Sequence, residues 1–132
     1  MLNAHELQGF EVVDVKTNRY ERGMKRITMT QNRGQLYVSA AVSEELNWKD
    51  KERLTLLKLG KTFAFMPGKV NNRIGELMAT RKDGKNCKTF QISSKSMCDK
   101  IYWGTDQCTK FEAWADKTED GRTILFFKPE EE

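Results

Sequence analysis

The sequence predicts a mainly β protein with short helices, a pseudo-two-fold β-barrel made from two tandem ββαββ units. Three observations carry this. Residues 25–67 and 75–129 each read as hairpin, short helix, hairpin, proline. The only two prolines, Pro67 and Pro129, close the two copies. Trp48 and Trp103 fall at equivalent places after each helix, where a barrel needs a bulky plug. The 132 residues then divide into an N-terminal extension (1–24), a first repeat (25–67), a connector (68–74), a second repeat (75–129) and an acidic tail (130–132), all in one domain.

Each element has its own warrant. Phe10–Val15 is β-branched and partly alternating, so it reads as a strand, with a polar loop from Thr17 to Gly23. Arg26–Thr30 alternates and forms the first strand of the repeat. Asn32-Arg33-Gly34 supplies the turn, since glycine adopts positive φ without penalty. Leu36–Val38 returns. Ser39 is placed to N-cap a helix over Ala40–Leu46, with Val42 and Leu46 on its inner face beside Trp48. Leu54–Leu57, a turn at Gly60, and Phe63–Phe65 form the closing hairpin. In the second repeat Leu77–Thr80 echoes Ile27–Thr30, and Asp83-Gly84 marks a turn inside a longer loop. Ser93 or Ser94 caps a helix reaching Ile101, with Met97 and Ile101 facing inward. Phe111, Ala113 and Ala115 alternate with Glu112, Trp114 and Asp116, and Thr123–Phe127 returns after Glu119-Asp120-Gly121.

Composition bounds the function. Apolar residues make up 38% and charged residues 32%, with apolar runs too short to span a bilayer, so no membrane partner is expected. The N-terminus shows neither a basic nor an apolar signal region. Cys87, Cys98 and Cys108 are odd in number and lack zinc spacing, which predicts reduced thiols in the cytoplasm and no metal or other cofactor. His5 is the only histidine, near the terminus, and no phosphate-binding or dinucleotide motif occurs, so no enzyme is expected. Net charge is +4. Residues 69–100 hold eight Lys and Arg against Glu76, Asp83 and Asp99, while residues 101–132 lean acidic. That asymmetry reads either as an anion-binding face or as a solvated surface.

The segment Gly34-Gln35-Leu36-Tyr37-Val38-Ser39-Ala40-Ala41-Val42-Ser43-Glu44-Glu45-Leu46-Asn47-Trp48 resembles the AbrB/MazE/SpoVT swapped-hairpin domain. That family carries a turn glycine, an apolar strand, an amphipathic helix and a closing hairpin. One such unit usually dimerises into an intertwined barrel. Two in one chain imply the same barrel closed within a monomer, similar to a double-psi or cradle-loop barrel. The resemblance implies DNA binding through the hairpin layer. Where known bacterial regulators carry arginine after the turn glycine, this chain has Gln35. Where they begin the helix with proline, it has Ser39 and, in the second copy, Ser93.

The leading expectation is a small AbrB-like transcriptional regulator, as a monomer or homodimer, with duplex DNA as its partner. Arg26, Arg33, Arg81, Lys82, Lys85 and Lys88 attract phosphates, and Asn32 and Gln35 reach base edges. Arg33 is equally readable as an ordinary exposed turn residue. The alternative is an inhibitor encoded by a phage or mobile element, of anti-CRISPR or other anti-host type. It would bind a host protein through an acidic, aromatic face of Glu112, Trp114 and Asp116, with Trp114 the exposed anchor.

Overall fold

The computed structural model describes residues 24–84 and 87–130. The expected strand at Phe10–Val15 and the residues His5 and Lys85 lie outside them. Eight strands close into an antiparallel barrel. In chain order they are β1 (Arg26–Thr30), β2 (Gln35–Val38), β3 (Glu52–Leu59), β4 (Thr62–Pro67), β7 (Leu77–Gly84), β8 (Cys87–Ser93), β9 (Lys110–Lys117) and β10 (Thr123–Pro129). Two further short strands, β5 (Lys69–Val70) and β6 (Arg73–Ile74), pair only with each other among the described residues. Helix α1 (Ala40–Ser43) follows β2, and α2 (Lys95–Gly104) follows β8.

Around the barrel the strands run β1-β2-β8-β7-β3-β4-β10-β9, and β9 pairs with β1 to close the ring. Each sequence-local hairpin is therefore flanked by hairpins from the other half of the chain. Alternation along the strands sends one set of side chains inward. Ile27, Leu36, Leu54, Phe65, Phe90, Ile92, Phe111, Leu125 and Phe127 are all essentially fully buried. Phe127 is the hub, stacked 5.2 Å from Phe65 and 5.5 Å from Phe63, with Phe111 edge-on at 5.4 Å. Val42, Leu46 and Trp48 join this core from the α1 side, and Met97, Cys98 and Ile101 from α2.

The structure corrects several local expectations. The first helix stops at Ser43 rather than Leu46, although Val42 and Leu46 are both buried. Ser39 does not cap it. Its hydroxyl instead accepts from the Arg26 N–H at 3.0 Å and donates to the Met24 carbonyl, tying the helix start to β1. Ser94 is the true cap in the second half, accepting from the Met97 N–H at 3.2 Å. Asp83-Gly84 is not a loop. The pairs Asp83↔Lys88 and Gly84↔Cys87 extend the β7–β8 ladder through it. The expected connector holds the β5–β6 hairpin, turned at Asn71-Asn72, where both residues take positive φ as a tight primed turn requires. Trp103 is no core plug. Helix α2 continues past Ile101 to Gly104, so Trp103, two residues on, points from the opposite face and is 64% exposed.

Candidate nucleic-acid interface

The inward set of β1 and β2 is Ile27, Met29, Leu36 and Val38, so Thr28, Thr30, Gln35 and Tyr37 face out. The cross-strand registers join Lys110, Thr28, Tyr37, Gln91 and Thr80 into one row across β9, β1, β2, β8 and β7. A second row joins Thr30, Gln35 and Ser93. Neither row contains a carboxylate. Tyr37 stands near the middle at 40% exposure. Its hydroxyl donates to Gln35 Oε1, which leaves the Gln35 amide N–H groups to donate outward. Gln91 Nε2 donates to Ser93 Oγ at 3.4 Å, which leaves its carbonyl oxygen to accept. Exposed Lys110 edges this face on β9, and exposed Arg53, opposite Met78, edges it on β3.

The β1–β2 turn at one end of this face is held firmly. A single turn of 3₁₀ helix, Gln31–Arg33, ends at Gly34 with φ of +65°. A Cβ on Gly34 would lie 2.8 Å from the Lys95 Cα, so both the backbone angle and the close approach demand glycine. The Ser94 N–H donates to the Gly34 carbonyl at 2.8 Å. Lys95 Nζ donates to Asp99 Oδ1 at 2.7 Å and to the Gln31 carbonyl at 3.1 Å, and Gln31 Nε2 donates to Asp99 at 2.8 Å. These bonds hold the Asp99 carboxyl below its usual range, the Lys95 bond contributing most and the Gln31 bond next. Asn32 and Arg33 thus project from a clamped turn.

The sequence-predicted residues do not all gather here. Asn32, Arg33 and Gln35 lie together at the Ser93 end of the β2–β8 pair. Lys82 faces outward opposite Thr89, roughly 14 Å further along β8. The others are engaged elsewhere. Arg26 makes a two-pronged ion pair with Glu130, one arm at 2.9 Å. Arg81 Nε donates to Asp83 at 2.7 Å, and its backbone N–H donates to Asp50. Lys88 is half-buried, donating to the Leu46 carbonyl at 2.9 Å and lying 5.8 Å over the Phe90 ring. Sequence reasoning missed Thr28, Tyr37, Gln91, Lys110 and Arg53 as members of this face. Alternation within β1 and β2 already gave the outward sense of Thr28 and Tyr37. The β2–β8 and β1–β9 pairings that complete the row join residues distant in the chain.

The acidic, aromatic alternative lies on the outward face of β9. Trp114 is half-buried rather than freely exposed. It stacks on Phe126 at 5.6 Å, with Lys128 Nζ 6.0 Å above its ring and 3.0 Å from Glu112. Registers place Leu57, Ala64, Phe126 and Trp114 in one apolar row across β3, β4, β10 and β9. Asp116 flanks it, opposite Ile124.

Reactive chemistry is sparse among the described residues. No three His, Cys, Asp or Glu side chains are grouped as metal ligands there. Cys98 is buried, and burial first, then Asp99, pushes its thiol up to about 11, away from the reactive thiolate. No helix among them is long and apolar enough to cross a membrane. The chain matches no protein-family model, no curated protein and no solved structure.

Proposed function

We propose that this chain is a small AbrB-like DNA-binding regulator that meets duplex DNA with the outward face of β2 and β8 and carries no catalytic activity. The observation that carries the reading is the carboxylate-free row through Tyr37 and Gln91, edged by Lys110. The major groove of B-DNA is about 12 Å wide. The four strand steps from β9 to β7 span roughly 19 Å, enough to set cations on the phosphates at both groove walls. Gln35 and Gln91 then offer a donor and an acceptor to base edges, while Arg33, Lys82, Lys110 and Arg53 hold the backbone. The tandem-unit architecture is supported by the strand order. Exchanging β1–β4 for β7–β10 leaves the cyclic order unchanged. A cytoplasmic setting is supported by three free cysteines.

Fluorescence anisotropy with a labelled random-sequence duplex tests the proposal. About four phosphate contacts give a slope near −3.6 in log K against log salt. K110E combined with R33E flattens the slope, and Y37A with Q91A weakens preference among sequences. No binding at about 50 mM salt, where phosphate attraction is strong, sinks it.

A second reading is favoured by the apolar row Leu57–Ala64–Phe126–Trp114, an outward aromatic surface on the other hairpins. It is a host-protein contact anchored by Trp114 and flanked by Glu112 and Asp116, as in a phage-encoded anti-host inhibitor. Partners retained from host lysate after nuclease treatment, and lost in W114A, support it over DNA.

A further inference from the structure

The ladder between β3 and β7 covers only Glu52–Leu54 against Leu77–Ala79. From Thr55 to Leu59, β3 bonds to β4 on one side and, among the described residues, to no strand on the other. The two-residue loop Gly60-Lys61 makes Leu59 and Thr62 the hydrogen-bonded closing pair of the hairpin. Pairs alternate from there, so Thr55 and Leu57 turn their N–H and C=O toward β4, and Leu56 and Lys58 turn theirs away from it. Pro67, which has no N–H, stands opposite Leu54, where this alternation requires none.

A groove of about 950 Å³ runs along the Leu54–Leu57 part of β3, where this edge begins. Its lining combines Leu56 and Leu57 of β3, Val70 and Ile74 of the β5–β6 hairpin, and Met97 of α2. The volume is at the upper end for bound organic ligands and far too large for a single ion. Arg73 and Lys100 line it against one acid, Glu76.

We infer that this groove takes an extended peptide segment of a partner protein, added as a strand to the edge of β3, with apolar residues alternating with acidic ones. An open strand edge asks its occupant for backbone donors and acceptors in extended form. The lining of Leu56, Val70, Ile74 and Met97 asks for apolar side chains on one face of that strand. Arg73 and Lys100 ask for negative charge on it. A second copy docking β3 against β3 brings Lys58 toward the same cations and supplies no acid in the sequence Leu54–Leu59. The groove borders the Tyr37 face only at Ser93, so a bound segment leaves that face open.

The test is a random-peptide phage library panned against the full chain, with one selected peptide synthesised and titrated into isotope-labelled protein. Enriched peptides are expected to alternate apolar and acidic residues, with amide shifts concentrated in Leu54–Lys58, the β5–β6 hairpin and the first two turns of α2. R73E with K100E, both exposed, weakens that peptide at least tenfold without changing the melting temperature. K58P, which removes an N–H from the open edge but none from the β4 ladder, weakens it similarly. Failure to enrich any peptide overturns the inference, as do peptides lacking the alternation or shifts mapping elsewhere. A dimer in sedimentation that K58P dissolves also overturns it, by assigning the edge to a second copy.

Discussion

Asp99 accepts from both Lys95 and Gln31, and so joins α2 to the β1–β2 turn. Its lowered pKa has a definite sign of linkage. The stabilisation is present above the unfolded value, about 3.9, and fades as pH falls through the lower folded value. A carboxyl-carbon NMR titration is expected to give Asp99 a midpoint below 3.9, and D99N is expected to abolish the acid-dependent shift of the Gly34 amide. A midpoint at or above 3.9 contradicts the clamp. The tryptophans give a second prediction at this scale. Trp48 is buried against Phe90, edge-on at 5.5 Å, and donates its indole N–H to the Thr123 carbonyl at 2.8 Å. Trp103 is mostly exposed and rests edge-on against Tyr102. W48A is therefore expected to cost about 3–5 kcal/mol in denaturant unfolding, and W103A to stay within about 0.5 kcal/mol. Equal losses in the two variants would contradict these environments.

At the scale of elements, the two helices begin alike in sequence and differ in how they are anchored. Ser94 caps α2 with its own hydroxyl, whereas Ser39 spends its hydroxyl on β1. S94A is expected to lower stability by about 1 kcal/mol and to speed amide exchange at Met97, the cap's acceptor-bonded donor. S39A is expected to speed exchange at Arg26 instead, leaving the α1 amides unaffected. The contrast explains what the sequence disclosed. Every hairpin of the barrel was legible, because alternation and turn glycines act over a few residues. The extent of α1, the β-structure at Asp83-Gly84 and the β5–β6 hairpin were not. The Asn71-Asn72 turn of β5–β6 is itself a local signal, whereas a partner outside the segment decides at the other two, Lys88 pairing with Asp83 and the Arg26 N–H taking the Ser39 hydroxyl. The candidate face was half legible for the same reason. Gln35, Asn32 and Arg33 belong to one turn, whereas Gln91 and Lys110 reach Tyr37 and Thr28 only through pairings between the two halves.

On the scale of the whole molecule, those inter-half pairings make the barrel indivisible. Neither half owns a closed sheet. β1–β2 needs β8 and β9 on its flanks, and β3–β4 needs β7 and β10. The cores interlock too, since Phe63 and Phe65 of the first half stack on Phe127 of the second. An isolated half would keep two hairpins with their apolar faces in water, and single hairpins are marginal at best. Two fragments, residues 24–74 and 75–130, are therefore expected to be unstructured apart at low micromolar concentration. Mixed, they are expected to restore the near-ultraviolet signal of buried Trp48, whose indole reaches across the break to Thr123. Unfolding of the intact chain should then be a single transition, with Trp48 fluorescence and far-ultraviolet dichroism coincident in urea. A first fragment that folds as a stable monomer, or two separate transitions in the intact chain, contradicts the interleaved barrel and removes the rigid platform on which the Tyr37 face depends.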